Sequence, residues 1–247
     1  MTEAPAALLD VDRIRALAVP TLGVLRASPM VVLGSTQRLE DLDAAALARD
    51  GLTVRRRRGG GGAVLLRPPD CWIELWLPAT SSAERGDVRS TAYRVGEWWQ
   101  VALRSLGVAC DVHRGAVDGA AQGAVACFAG LGPGELSTEG RKLVGLSQWR
   151  AREGALVSSV LAARRPSDLT AYLSSDAPPT PSLALATCLD EALPGVAADD
   201  VAAAFAVTVQ HEVSALAVAD APFVATVRTT RPAAGGDRAA GTPNPTR

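Results

Sequence analysis

Lysine is nearly absent from this sequence of 247 residues, because its 25 basic residues include only one lysine, Lys142. Histidine is also scarce, with two residues, and the four cysteines show no paired C-x-x-C spacing. We therefore expect neither a zinc site nor another structural metal. Acidic and basic residues nearly balance at a formal net charge of −1. Such a surface has no overall charge that would attract nucleic acid, so a nucleic-acid partner is not expected.

Long apolar runs are absent as well, and none approaches the roughly 20 residues that a membrane-spanning helix needs. The first residues, MTEAPAALLD, carry acidic side chains where a signal peptide would be basic and then apolar. We therefore predict a cytoplasmic protein without membrane contact.

Short apolar runs and helical periodicities do alternate along the chain, and they predict an α+β fold. The segment 71–77, CWIELWL, alternates between an apolar face and a face with Trp72, Glu74 and Trp76. Residues 88–106 place apolar side chains on one stripe of a helix. We expect a mixed, mostly antiparallel sheet with this helix on one face, closed by helical segments over 166–217. The other strand candidates are MVVLG, LTVRRR, AVLL, GVACDV, AVACF, KLVGLSQW and ALVSSVLAA.

Composition also suggests how the chain is divided. Residues 1–20 form an N-terminal segment, 21–217 form one domain, and 218–247 form a tail rich in Thr, Pro, Gly and Ala. Because this tail has little to bury, we expect it to be disordered from about residue 228.

The segment 54–66, VRRRRGGGGAVLL, joins four arginines to four glycines and an apolar strand. Glycine lets the backbone and its N–H groups approach a ligand with no Cβ in the way. An arginine fork beside it suits a phosphate or carboxylate. The alternatives are solvated charges on a linker, or an RGG-like RNA contact. RNA binding is the weaker alternative, because the motif is not repeated and has no interleaved aromatic residues.

The segment 132–150, GPGELSTEGRKLVGLSQWR, contains the single lysine. Ser-Thr-Glu-Gly favours a hairpin turn, which would place Lys142 at the start of a strand. A compact ammonium can follow a carboxylate or phosphate oxygen as a point charge more easily than a planar guanidinium can. Lys142 is therefore a candidate functional residue, and the alternative is a surface lysine that persists by chance.

Together, the two segments resemble the biotin/lipoate protein ligase superfamily. RRRRGGGGAV resembles that family's Arg-Arg-x-x-Gly-Gly-Gly-Ala-Val loop, and GRKLVGLSQWR resembles its Gly-x-Lys-(Ile/Val)-x-Gly-x-(Ala/Ser)-Gln-x-Arg segment. The order of elements over residues 22–210 is similar to that of lipoate–protein ligase A. The resemblance implies an α+β ligase-like catalytic domain over residues 21–217. It implies an enzyme that attaches lipoate, octanoate or a similar short- or medium-chain carboxylic acid to a lysine of a lipoyl-type acceptor domain. The resemblance further implies that the acid is activated as an acyl-adenylate, with ATP and Mg²⁺ as cofactors.

The resemblance also assigns roles residue by residue. Lys142 matches the lysine that binds the carboxylate and stabilises charge during acyl transfer. Positions that match the substrate- and nucleotide-binding motifs are Arg56, Arg57, Gly60, Gly61, Gly62, Ala63, Val64, Gly145 and Ser147. Further candidates are Asp70, Gln148 and Ser158, and Asp70 could support Mg²⁺ as a phosphate-facing carboxylate.

Several positions depart from the family pattern. Leu66 and Asp70 occupy the slots of a His and an Asn, the Asn-Asp pair before the lysine hairpin is not recognisable, and Ser158 lies near the slots of the histidine-rich strand. Two alternatives therefore remain open. One is a non-catalytic homologue that binds an acyl or biotin-like ligand. The other is a cysteine-dependent octanoyltransferase, in which a thiolate would be activated by Lys142.

No cysteine is an obvious nucleophile from its position in the sequence. Cys71, Cys110 and Cys127 are predicted in strand cores, and Cys188 is predicted in a helix.

Overall fold

A computed structural model of the chain describes residues 4–5, 11–26, 28–81, 86–118, 125–178, 186–216 and 224–229. The fold has two sheets. The smaller has four strands in the order β1-β4-β3-β5, and the larger has seven in the order β11-β2-β6-β10-β9-β8-β7. In the larger sheet only the β11–β2 pairing is parallel. The predicted α+β class with a mixed, mostly antiparallel sheet is confirmed, although the strands are divided between two sheets.

Strands form at the candidates MVVLG, LTVRRR, AVLL, CWIELWL, KLVGLSQW and ALVSSVLAA, whereas GVACDV forms a strand only over Asp111–Val112. Those of the smaller sheet are β1 (Ala4–Pro5), β3 (Met30–Leu33), β4 (Thr53–Arg56) and β5 (Val64–Leu66). Those of the larger sheet are β2 (Thr21–Arg26), β6 (Cys71–Pro78), β7 (Asp111–Val112), β8 (Leu136–Thr138), β9 (Arg141–Ala151), β10 (Gly154–Leu161) and β11 (Val224–Thr229).

The helices pack on these sheets. The α-helices are α1 (Val11–Ile14), α2 (Ala44–Arg49), α3 (Val88–Ser105), α4 (Leu189–Ala192) and α5 (Ala198–Leu216). Within the described residues, 3-10 helices span Leu39–Asp41, Cys127–Ala129 and Pro166–Tyr172. None of the helices within the described ranges is long and apolar enough to cross a bilayer.

The two faces of the larger sheet are buried in different layers. The apolar face of β6 packs with α3 and α5, where Trp99 stacks on Phe205 at 4.1 Å between ring centroids. The opposite face contributes Trp72 to the core that also contains the smaller sheet. The alternation seen in CWIELWL is therefore confirmed, because each side of β6 has its own apolar partner.

The ends of the chain differ in part from the expectation. β11 lies parallel to β2 within the segment predicted as a tail. Residues 217–223 and 230–247 lie outside the described residues, as do residues 1–3 and 6–10 of the N-terminal segment.

One strand expectation is wrong. The described part of AVACF, 125–128, does not form a strand, because Ala126 makes an isolated bridge to Ala63 and the chain then turns into the 3-10 helix Cys127–Ala129. Cys127 is partly exposed rather than a strand-core residue. The carbonyl groups of Cys127 and Gly130 turn toward the Lys142 ammonium at 2.7 and 3.0 Å, which a straight strand would not allow.

Candidate functional site

A β-bulge places Lys142 in the interior. The turn that leads into it has Glu139 at φ 50° and Gly140 at φ 73°. Leu136 pairs with Val144 but Ser137 pairs with Lys142, so the register shifts by one residue at the start of β9. A bulge of this kind turns a side chain to the other face of its strand. The Lys142 side chain therefore points toward the turn that contains Cys127, and Gly145 lies next to the same turn.

The ammonium of Lys142 is almost completely buried and has three acceptors. It donates to the carbonyl oxygens of Cys127 and Gly130, and to Oε2 of Glu135 at 2.6 Å. Burial lowers the pKa of Lys142, but the nearby Cys127 and Glu135 outweigh burial and raise the pKa above its ordinary value. The side chain is therefore a fixed, fully coordinated cation at neutral pH.

Glu135 is a site residue that the sequence patterns did not reveal. Its carboxylate accepts the backbone N–H of Gly132 at 2.6 Å and that of Leu146 at 3.0 Å, besides the Lys142 bond. Glu135 thus supplies a buried carboxylate directly before the lysine hairpin. The sequence does contain a signal for Glu135. This residue directly precedes β8, and the Ser-Thr-Glu-Gly turn connects β8 to the start of β9, where Lys142 lies.

Cys127 lies beside the ammonium. Its Sγ is 3.9 Å from Nζ of Lys142. Gly145 leaves room for both groups, because a Cβ at this position would lie 3.2 Å from Sγ of Cys127 and 3.5 Å from Cε of Lys142. A side chain at this motif position would therefore press against the thiol of Cys127.

The glycine loop is held by Arg57 from within the protein. Arg57 is 3% exposed, and its guanidinium donates to the carbonyl oxygens of Val32, Gly60 and Gly62. Burial lowers the pKa of Arg57, yet a guanidinium with this many acceptors keeps its charge. The resemblance implied that the Arg57 guanidinium binds a phosphate or carboxylate of a ligand. In this structure the guanidinium instead donates to carbonyl oxygens of the glycine loop itself.

Ser147 and Arg56 complete this support. Ser147 Oγ donates to the carbonyl of Gly60 at 3.0 Å and accepts from Nε of Arg57 at 3.1 Å. Arg56 donates to the carbonyls of Gly34 and Gln37, so it holds the turn that follows β3. Both side chains therefore donate hydrogen bonds to backbone carbonyl oxygens.

The carbonyl side of the loop faces the protein, whereas its N–H side is open. Within the described part of the chain, no acceptor engages the N–H of Gly60, Gly61 or Gly62. Gly61 has φ of +92°, a conformation that favours glycine, and Gly60 has open space where a Cβ would be. Successive free N–H groups of this kind can receive an anion.

The loop and the lysine meet through the Ala126–Cys127 backbone. A Cβ on Gly62 would lie 2.5 Å from Cys127 N, and Cys127 N–H donates to the carbonyl of Ala63 at 2.9 Å. Ala63 and Val64 are buried and anchor the loop in the core. The structure thus brings the two sequence motifs together around one turn.

Three predicted candidates lie apart from this cluster. Ser158 pairs across the sheet with Ser147 and donates to Oε1 of Glu74 at 3.4 Å. The Gln148 amide, oriented so that both its polar atoms are satisfied, donates to the carbonyl of Val88 on the α3 side.

Asp70 is also separate, because its two oxygens accept the N–H groups of Arg67 and Ala163, both at 2.7 Å. Burial raises the pKa of Asp70 to about 6, although these backbone donors oppose the shift. The position therefore does not present a free carboxylate to Mg²⁺. Among the described residues, no group of three His, Cys, Asp or Glu side chains could hold a metal ion.

These features define an α+β domain in which a glycine loop and a buried lysine share one turn. The sequence profile described as "Lipoyl protein ligase A/B catalytic domain" matches residues 10–209, and the chain belongs to this family. No curated protein matches the sequence.

Solved structures share the fold at low sequence identity. Ta0514 from T. acidophilum with bound lipoic acid is 17% identical, with a TM-score of 0.67 over 93% of this chain and 90% of that chain. Lipoate-protein ligase A bound with ATP is 18% identical, with a TM-score of 0.68 over the same shares of the two chains. The bi-partite lipoate protein ligase of T. acidophilum with its E2 lipoyl domain is 17% identical, with a TM-score of 0.65 over 90% and 80%.

Proposed function

We propose that this protein transfers a lipoyl, octanoyl or similar acyl group to a lysine of a lipoyl-type acceptor domain. The observation that carries the proposal is the buried ammonium of Lys142, fixed by Glu135 at the turn that also contacts the glycine loop. Acyl transfer develops negative charge on the acyl oxygen, and a preorganised cation stabilises that charge. The relatives with bound lipoic acid and with an E2 lipoyl domain support the choice of acid and acceptor.

In this proposal Lys142 keeps its bond to Glu135 while the substrate oxygen replaces one of its two carbonyl acceptors. Glu135 then holds the ammonium in position as the carbonyl of Cys127 or Gly130 is released. Lys142 is the residue that contacts the reacting group, and Glu135, Arg57 and Ser147 are positioning residues.

The acid could be activated as an acyl-adenylate. The free N–H groups of the glycine loop would hold phosphate oxygens of ATP, and a relative with bound ATP supports this route. ATP would supply the leaving group for the carboxylate. No group of three or more metal-binding side chains is present among the described residues, and Asp70 is engaged by two backbone N–H groups, so the proposal assigns no residue to Mg²⁺.

Cys127 favours a second route. Its Sγ lies 3.9 Å from the Lys142 ammonium, and the residue is partly exposed. Thiolates beside cations are activated nucleophiles. The sulfur would attack the carbonyl carbon of a carrier thioester, and the carrier thiol would leave with a proton. The acceptor amine would then attack the Cys127 thioester, forming the amide and restoring the thiol.

An acyl-transfer assay separates the two routes. An apo lipoyl domain is incubated with octanoate or lipoate together with ATP and magnesium, or with an octanoyl carrier alone, and acylation is followed by mass spectrometry. In the adenylate route only the first donor works, and Cys127→Ser retains activity. In the thioester route only the second donor works, and Cys127→Ser is inactive. Exposed Arg152 provides the control variant Arg152→Gln, which should match the wild type.

Acylation from neither donor would contradict the proposal. The remaining alternative would then be a non-catalytic homologue that binds an acyl or biotin-like ligand. Calorimetric titration of lipoate, biotin and ATP, alone and in pairs, would identify that ligand.

A further inference from the structure

The four arginines of the loop have different surroundings. Arg57 is buried with its donors on carbonyl oxygens, and Arg56 donates to carbonyls of the turn after β3. Arg55 lies in the middle of the smaller sheet, where it pairs with β1 and β3. Arg58 is exposed and directly precedes the glycines. Position 58 is therefore the place where a cation can meet a ligand arriving at the loop.

Arg58 rests on an aromatic ring. The centre of its guanidinium lies 5.3 Å from the ring centroid of Trp149. Within the described residues Arg58 has no carboxylate partner. This cation–π contact reduces the freedom of the guanidinium before a ligand binds, and its N–H groups can still donate to that ligand.

Trp149 is placed beside the loop by β9. It lies two residues beyond Ser147, whose hydroxyl donates to the carbonyl of Gly60. Gly60 and Gly61 are exposed, and their N–H groups have no acceptor within the described part of the chain. Arg58 and the exposed Gly60 and Gly61 thus lie within one short segment, and the strand that carries Trp149 contacts this segment through Ser147.

We infer that Arg58, stacked on Trp149, binds a phosphate group of the acyl donor together with the N–H groups of Gly60 and Gly61. The inference rests on the proposed function and names a donor-binding residue at the same site. Two donors carry such a phosphate, namely an acyl-adenylate, which is formed from a nucleoside triphosphate, and an acyl carrier with its phosphopantetheine arm. An arginine fork and successive backbone N–H groups recognise both through the same oxygens.

The binding test uses pyrophosphate, ATP and phosphopantetheine, each titrated calorimetrically into the full-length wild type and its variants. Arg58→Gln should weaken binding of the recognised compound by about tenfold to a hundredfold, the effect of losing a charge-assisted hydrogen-bond pair. Trp149→Phe should weaken it less, because a ring remains under the guanidinium. Arg152→Gln should leave it unchanged, since this arginine is also on β9's hairpin and its side chain is 94% exposed.

The pattern of ligands identifies the donor. Arg58-dependent binding of ATP and pyrophosphate indicates a nucleotide, and Arg58-dependent binding of phosphopantetheine alone indicates a carrier. The inference is overturned if the wild type binds none of the three, or if Arg58→Gln binds them as tightly as the wild type does. Arg58-dependent binding without acyl transfer would retain this site and reject the proposed function. Acyl transfer with an unchanged KM for the donor in Arg58→Gln would retain the function and reject this site.

Discussion

Lys142 and Glu135 form a buried ion pair, with Nζ 2.6 Å from Oε2 and side chains that are 3% and 7% exposed. Neither charge has access to bulk solvent, so each depends on the other and on the backbone groups around it. The pair also joins the Cys127 turn to β9, because the same ammonium holds the carbonyls of Cys127 and Gly130. Lys142 is thus a structural residue as well as the proposed charge-stabilising group.

Lys142→Ala should destabilise the fold as well as remove activity. A lysine that merely lined a pocket could be removed at little cost, but this substitution leaves Glu135 buried and unpaired. Breaking such a pair costs about 3–5 kcal/mol. Urea unfolding should show this loss, and acyl transfer measured under conditions where the variant is folded should fall by about a hundredfold or more.

The double variant Lys142→Met/Glu135→Gln separates these two effects. It removes both charges, so it should be more stable than Lys142→Ala while remaining inactive. Lys142→Arg should also be poorly active, because a planar guanidinium does not reproduce the bonds of one compact ammonium to Cys127, Gly130 and Glu135. Wild-type transfer by the arginine variant would show that any buried cation suffices.

Gly62→Ala and Gly60→Ala should differ in stability. A Cβ on Gly62 would lie 2.5 Å from the backbone of Ala126, whereas a Cβ on Gly60 meets nothing within 4 Å. The first variant forces the loop away from the Cys127 turn and should lose about 1–3 kcal/mol. The second should remain within about 0.5 kcal/mol of the wild type. Thermal unfolding compares the two, and equal melting temperatures would mean that the loop shifts without cost.

Arg57→Lys should loosen the glycine loop. One ammonium cannot reach the carbonyls of Val32, Gly60 and Gly62 together, so about 3 kcal/mol should be lost. Ser147→Ala should cost about 1 kcal/mol. In both variants trypsin should cleave faster after Arg58. Ser158→Ala is the control, because its hydroxyl contacts Glu74 rather than the loop, and its cleavage rate should equal that of the wild type.

Asp70 should make stability fall as pH rises. Burial raises its pKa to about 6, above its ordinary value of 3.8, so folding favours the protonated form. The contribution is fully present below about pH 4 and is lost as pH rises through about 6. It amounts to about 2 kcal/mol after allowance for partial exposure. Unfolding free energies from pH 4 to 8 should show this decline in the wild type and not in Asp70→Asn. Parallel profiles would argue against the shifted pKa.

Much of the fold could be predicted from the sequence, because apolar periodicity records which side of an element is buried. The alternation of 71–77 and the stripe of 88–106 both match the observed packing. The glycine loop was also predicted, and Gly61 adopts a positive φ. The strand expected at AVACF was wrong, since an apolar run does not reveal that its carbonyls will coordinate an ammonium.

The sequence by itself determined the α+β class, the two motifs and the single lysine, because these depend on residue type and local spacing. Only the tertiary structure decided which groups surround them. A bulge of one residue at β9 directs Lys142 toward Glu135 and Cys127, and a buried guanidinium directs the carbonyls of the glycine loop inward. These contacts join residues from distant parts of the chain, and local spacing does not encode the register or the side-chain direction that brings them together.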